Sequence, residues 1–213
     1  EAWAQSMMGE WYRDGEHGVE QSYVMAVMLY EKAVEQGDPA AMFDLACLYQ
    51  QGQGVVQSFK KGAKLFTMSA EQGDVEAMFN LGVLYQQGKG VVKSFEKAVE
   101  YFTTAAEQGK VNAMSNLGVL YIQGQGVAQS IKLGREWWIK AANGGHKGAI
   151  ENLKMLDELE GKLTTAEAAA QLRAAPTTTV CCSSCNKPQP SGQTFPKCTG
   201  CRTVQYCNKE CQR

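Results

Sequence analysis

Ala77-Met78-Phe79-Asn80-Leu81-Gly82-Val83-Leu84-Tyr85-Gln86-Gln87-Gly88-Lys89-Gly90 decides the fold, because the same phrase stands 36 residues to either side. Upstream it reads Ala41-Met42-Phe43-Asp44-Leu45-Ala46-Cys47-Leu48-Tyr49-Gln50-Gln51-Gly52-Gln53-Gly54, and downstream it begins Ala113-Met114-Ser115-Asn116-Leu117-Gly118. The register extends outward from these copies. Ser22, Ser58, Ser94 and Ser130 share it, as do Gly37, Gly73, Gly109 and Gly145, with no insertion or deletion over three full copies. The first unit departs once: Gly15-Glu16-His17-Gly18 holds one residue more than Gly52-Gln53-Gly54. A fixed period of this length marks stacked supersecondary units.

Each unit reads as two helices. Asp38 caps helix A of the second unit and Pro39 takes its first position, where a missing N–H costs nothing. Ala41, Met42, Leu45 and Tyr49 then recur at helical spacing on one face, with counterparts Ala77, Met78, Leu81, Tyr85 and Ala113, Met114, Leu117, Tyr121. Helix A stops at Gln-Gly-x-Gly, where glycine can enter the left-handed region. Ser58 or Ser94 caps helix B, whose Phe95, Ala98, Phe102 and Ala106 keep to one side, and helix B ends at Gly109. Small residues at Ala46, Gly82 and Gly118 mark where the two helices are expected to approach closely.

One helix pair cannot bury its own apolar face, but stacked copies can. The expected fold is therefore all-α, a solenoid of helix pairs over residues 1–160. The segment after Gly145 puts Lys154, Asp157 and Glu160 at repeat positions held elsewhere by a small residue, Tyr and Gly, which suits a terminal cap. A further helix is expected near 165–174, in a connecting segment 161–180 whose Pro176-Thr-Thr-Thr-Val180 reads as linker.

These phrases, with Ala98, Phe102 and Ala105-Ala106-Glu107-Gln108-Gly109 behind them, resemble the Sel1-like repeat, a relative of the tetratricopeptide repeat, over about residues 2–156. The resemblance implies an α/α superhelix whose concave face binds other proteins. One departure is Ser in every copy where the family usually has Asp before helix B; both residues cap.

Seven of the eight cysteines lie between Cys181 and Cys211, and the body holds only Cys47, so no disulfide can form within the body. Cys182-x-x-Cys185 and Cys198-x-x-Cys201, followed by Cys207 and Cys211, give a strong zinc signal, since each tight turn aims two thiolates at one tetrahedral ion. Six thiolates cannot fill two four-ligand sites, so either one site exists or the ligand set continues past Arg213. Cys181 adjoins Cys182, and only Cys182 keeps the two-residue gap to Cys185. The string Cys198-Thr199-Gly200-Cys201 with Tyr206-Cys207-x-x-x-Cys211-Gln212 resembles the MYND-type zinc finger over about residues 182–213. By that resemblance Cys182, Cys185, Cys207 and Cys211 hold one zinc ion and Cys198 and Cys201 half of another. Its remaining ligands, a His and a Cys, would follow Arg213, and both ends of the sequence read as truncations. The resemblance also implies recognition of short proline-rich peptides, with Thr199 and Gln212 at the matching groove positions.

Charge weighs against nucleic acid. The stretch from Pro176 carries Lys187, Lys197, Arg202, Lys209 and Arg213 against Glu210, while the whole chain is at −1, so the preceding body is acidic and repels phosphate backbones. The finger also lacks the spacing and recognition helix of a groove-reading module. No apolar run reaches the roughly 20 residues of a membrane helix, and clustered free thiols suit a reduced compartment, cytoplasmic or nuclear. The apolar stripes are expected to be core, Cys47 a small buried hydrophobe, at least one of Trp137 and Trp138 structural, and neither His17 nor His146 a ligand. Every recurrent residue has an architectural reason, and none groups into acid, base and nucleophile. The expectation is a non-enzymatic protein-binding adaptor. The alternatives are a regulatory fragment of a larger enzyme, such as the lysine methyltransferases that MYND-type fingers accompany, and a nucleic-acid-binding zinc protein.

Overall fold

The computed structural model describes residues 1–161, which form nine α-helices and fall into two compact units. Unit 1, residues 1–108, holds α1 (Ala2–Asp14), α2 (Tyr23–Glu35), α3 (Pro39–Gln51), α4 (Phe59–Glu71), α5 (Val75–Gln87) and α6 (Phe95–Glu107). Unit 2 begins at Gly109 and its described part holds α7 (Val111–Gln123), α8 (Ile131–Asn143) and α9 (Lys147–Gly161). Within each unit every helix packs on its predecessor and its successor, which is the solenoid packing that the 36-residue period predicts.

The boundaries follow from the residues at them. Ser22, Ser58, Ser94 and Ser130 sit in extended backbone, and each hydroxyl accepts the N–H three residues on, at 3.3, 3.3, 3.2 and 3.2 Å. That satisfies one of the donors a helix start leaves open. Asp38 does the same for Ala41, and Asp74 for both Glu76 and Ala77. Lys110 takes the corresponding place before α7 without a side-chain cap. Gly52, Gly88 and Gly124 close the A helices with φ between 64° and 72°, as expected of a left-handed terminator. In the longer first turn, Gly15 closes α1 and His17 adopts φ 56°, its ring 4.6 Å from that of Trp11.

The core repeats one joint. A large ring on helix B, Tyr30, Phe66, Phe102 or Trp138, is buried against a small residue on helix A of the same pair. A Cβ added to Gly82 would stand 2.5 Å from the Phe102 ring, and one on Gly118 2.2 Å from Trp138. The close approach expected at Gly82 and Gly118 is thus ring on backbone. Ala41, Met42, Leu45 and Tyr49 are all buried, whereas Met78, Tyr85, Met114, Tyr121 and Phe95 are half-buried, because the outer edge of each stripe still touches solvent.

In unit 2, Trp138 Nε1 donates to the Ser115 carbonyl at 3.1 Å, and Arg135 pairs with both Asp157 and Glu160 on α9. Lys154, Asp157 and Glu160 are exposed, so α9 presents the polar outer face expected of a cap. The expected helix at 165–174, the 161–180 connection and the finger at 181–213 lie outside the described residues, save Gly161.

Candidate protein-binding surface

The A helices of unit 1 begin at an open groove. Pro39, Ala40, Phe43 and Asp44 of α3 form one wall, the Gln72-Gly73-Asp74 turn and Glu76 of α5 the other, around a cavity of about 420 Å³. The turn is held by its own chemistry: Asp74 accepts the Ser69 hydroxyl at 2.6 Å while capping α5, and Gly73 at φ 92° lets the chain reverse. Phe43 leans on the buried Phe66 ring, centroids 5.5 Å apart, which fixes an aromatic floor.

Asp44 is the electrostatic centre of this groove. Arg13 of α1 donates to it at 2.7 Å across the helices and also grips Asp14 at 2.8 Å. Burial nevertheless outweighs the guanidinium and pushes the Asp44 carboxyl up to about 6. Hydrogen bonding to Arg13 holds Asp14 below the usual carboxylate range, and the same bond raises Arg13. Tyr30, fully buried, has its phenol raised first by burial and then by the nearby Asp44 charge. Sequence reading passed over this carboxylate, although the signal was present: Asp44 replaces the Asn found at 80, 116 and 152 in the same repeat position.

Cys47 is half-buried against the Phe66 and Leu81 cluster, and burial pushes its thiol up to about 12, which fits the small hydrophobe expected there. Trp138 is buried, while Trp137 is half-exposed with the Lys140 ammonium 4.1 Å from its ring. His146 is a structural surprise. It is buried, and its Nδ1 accepts the Ala149 N–H at 3.0 Å, so it caps α9, and burial lowers its pKa.

Among the described residues no group of three His, Cys, Asp or Glu side chains is placed to hold a metal ion. The expected zinc ligands Cys182, Cys185, Cys198, Cys201, Cys207 and Cys211, the adjoining Cys181, and the peptide-binding Thr199 and Gln212 all lie outside the described residues. No helix among the described residues is long and apolar enough to cross a membrane.

A family model described as Sel1 repeat matches four consecutive segments, residues 4–38, 39–74, 75–110 and 111–146. No curated protein matches the chain. Similar solved structures include c5321, described as a protective antigen present in uropathogenic Escherichia coli strains displaying an SLR fold. It is 32% identical over 81% of this chain and 36% of that one, with a TM-score of 0.72. A Sel1 repeat protein from Oxalobacter formigenes is 32% identical over 71% of this chain and 62% of its own, with a TM-score of 0.68. The chain therefore spans less than two thirds of the length of either relative.

Proposed function

We propose that this chain, which belongs to the Sel1 repeat family, is a non-enzymatic adaptor that holds a partner protein on its helix-pair repeats. The observation that carries this reading is the groove of unit 1: an aromatic floor at Phe43, exposed Ala40 at its mouth and a half-buried carboxylate at Asp44. Such a recess, apolar at Pro39, Ala40 and Phe43 and acidic at Asp44, Asp74 and Glu76, suits a side chain presented by another protein. Arg13 and the caps at Asp38 and Asp74 account for its rigidity without chemistry.

The cysteine-rich stretch is the second part of this proposal. Its six thiolates, Cys182, Cys185, Cys198, Cys201, Cys207 and Cys211, would hold zinc, one complete set and half of another. The metal would supply the folding energy that so short a module cannot draw from an apolar core. Thr199 and Gln212 would then meet a short, proline-rich peptide. The two binding parts together make the chain a connector, and a cytoplasmic or nuclear setting keeps those thiols reduced.

The test is a photo-crosslinking amino acid placed at Ala40 in the full chain. The expected result is a saturable covalent adduct with one protein or a few, competed by unmodified chain. Adducts that do not saturate, or that form equally from a crosslinker placed at Lys132 on α8, would count against the groove.

A further inference from the structure

The opposite ends of the helix pairs in unit 1, where helix A turns into helix B, carry a different surface. Lys60, Lys61 and Lys64 lie in the first two turns of α4, Lys89 and Lys93 in the turn before α6, and Lys97 in the first turn of α6. The two sets belong to one edge. A Cβ at Gly90 would stand 2.3 Å from the Phe59 carbonyl carbon and 2.7 Å from Lys60 N, so the turn of the third repeat lies on the start of α4. Lys89 Nζ is 5.2 Å from the Phe59 ring centre. Lys61 is held over Tyr49 at 4.9 Å, Lys97 over Tyr85 at 5.1 Å and Lys93 over Phe95 at 4.6 Å. Stacking on rings pre-orders these long side chains.

Folding does not ask for this arrangement. A cation in the first turn of a helix opposes the macrodipole, yet α4 has Lys60 and Lys61 there and no acid. Lys64, Lys89 and Lys93 have no lysine counterpart in another repeat, while Lys60 recurs only as Lys132 and Lys61 only as Lys97. Positions 60 and 64 are Val24 and Met28 one repeat earlier and Glu96 and Glu100 one later, and Lys89 and Lys93 match Gln53 and Gln57. None of the six lysines is ion-paired among the described residues. Of the eight Lys and Arg in unit 1, set against fifteen Asp and Glu, six stand on this edge. Val56 and Val92, one repeat apart in the same turns, are 89% and 88% exposed.

We propose that this edge binds an acidic, apolar-bearing segment of a partner protein, with its carboxylates on the lysines and its apolar side chains on Val56 and Val92. The assignment rests on the protein-binding reading above and adds a second face to it. Charge complementarity selects the acidic partner. The valines favour a peptide over a bare polyanion, and the half-buried rings of Phe59, Tyr85 and Phe95, which could stack bases, are covered by lysines. The acidic remainder of unit 1 repels a long phosphate chain.

The test pans a random 12-residue peptide display library over the full chain and over a variant carrying Lys60→Glu, Lys64→Glu and Lys93→Gln. Each replacement is the residue found at the same place in a neighbouring repeat, so the helices should form, and circular dichroism checks that they do. The expected peptides are net acidic with Val, Leu or Phe, lose at least about tenfold in affinity on the variant, and weaken as salt rises. The variant should melt no lower than the parent, because a structural role for these lysines would lower its melting temperature. Enriched peptides that are neutral or basic would overturn the proposal, as would equal binding to the variant. So would tighter binding to a single-stranded oligonucleotide or to phosphatidylserine vesicles than to the acidic peptides. Peptides kept by the lysine variant but lost on Ala40→Trp would overturn this edge and leave the groove reading standing.

Discussion

At the scale of single residues, two positions say what the fold tolerates. Gly118 lies under the Trp138 ring, so Gly118→Ala forces the indole and its bond to the Ser115 carbonyl to move, which should cost about 1–3 kcal/mol. Denaturant unfolding of the full chain checks this, and an unchanged midpoint would contradict the ring-on-backbone joint. Asp44 gives a pH signature. Its folded pKa, about 6, lies above the ordinary 3.8, so the folded state holds that proton more tightly than the unfolded chain. The penalty is fully present above pH 6 and relieved as pH falls towards 4, at most about 3 kcal/mol. Asp44→Asn, which borrows the residue of the neighbouring repeats, should raise the melting temperature at pH 7.5, and the difference should shrink as pH falls through 6 and vanish only below the ordinary carboxyl value of 3.8. A gap independent of pH would contradict the buried-carboxylate account. His146 works in the opposite sense: its lowered pKa means that the stability supplied by the neutral imidazole cap is present above 6.5 and lost as pH falls below it.

At the scale of elements, each helix start is a separate device. Ser58→Ala removes the acceptor for Lys61 N–H and should cost about 1 kcal/mol, read as faster exchange of the α4 first-turn amides. Equal exchange in the variant would show that the hydroxyl contributes nothing. These caps were legible in the sequence because Ser, Asp-Pro and Gly carry stereochemical instructions that act locally. The expected close approach at Gly82 was legible too, since only one residue size fits beneath a ring. Asp44 and His146 were not legible as a buried carboxylate and a cap. Their surroundings come from Arg13, 31 residues away, and from the turn at Gly145; the Asp that replaces Asn at position 44 marks the place but not its burial. The lysine edge was hidden for a related reason: its members alternate with repeat positions and gather only when the turn at Gly90 lies on the start of α4.

At the scale of the whole molecule, the chain divides its tasks between a repeat body that gains stability by stacking and a cysteine-rich stretch that, on our proposal, gains it from zinc. Chelation should therefore unfold the module around Cys182 to Cys211 and leave the helical circular dichroism of α1 to α9 nearly intact. Loss of most helical signal on chelation would contradict the two-part layout. The account depends most on the groove between α3 and α5 being a seat for a partner. The direct measurement is the affinity of the partner captured at Ala40, titrated against the full chain and against Ala40→Trp, which fills the mouth of that groove. We predict at least a tenfold loss of affinity with an unchanged melting temperature. Equal affinity for the filled groove, or conversion of the captured partner into a chemical product, would contradict it.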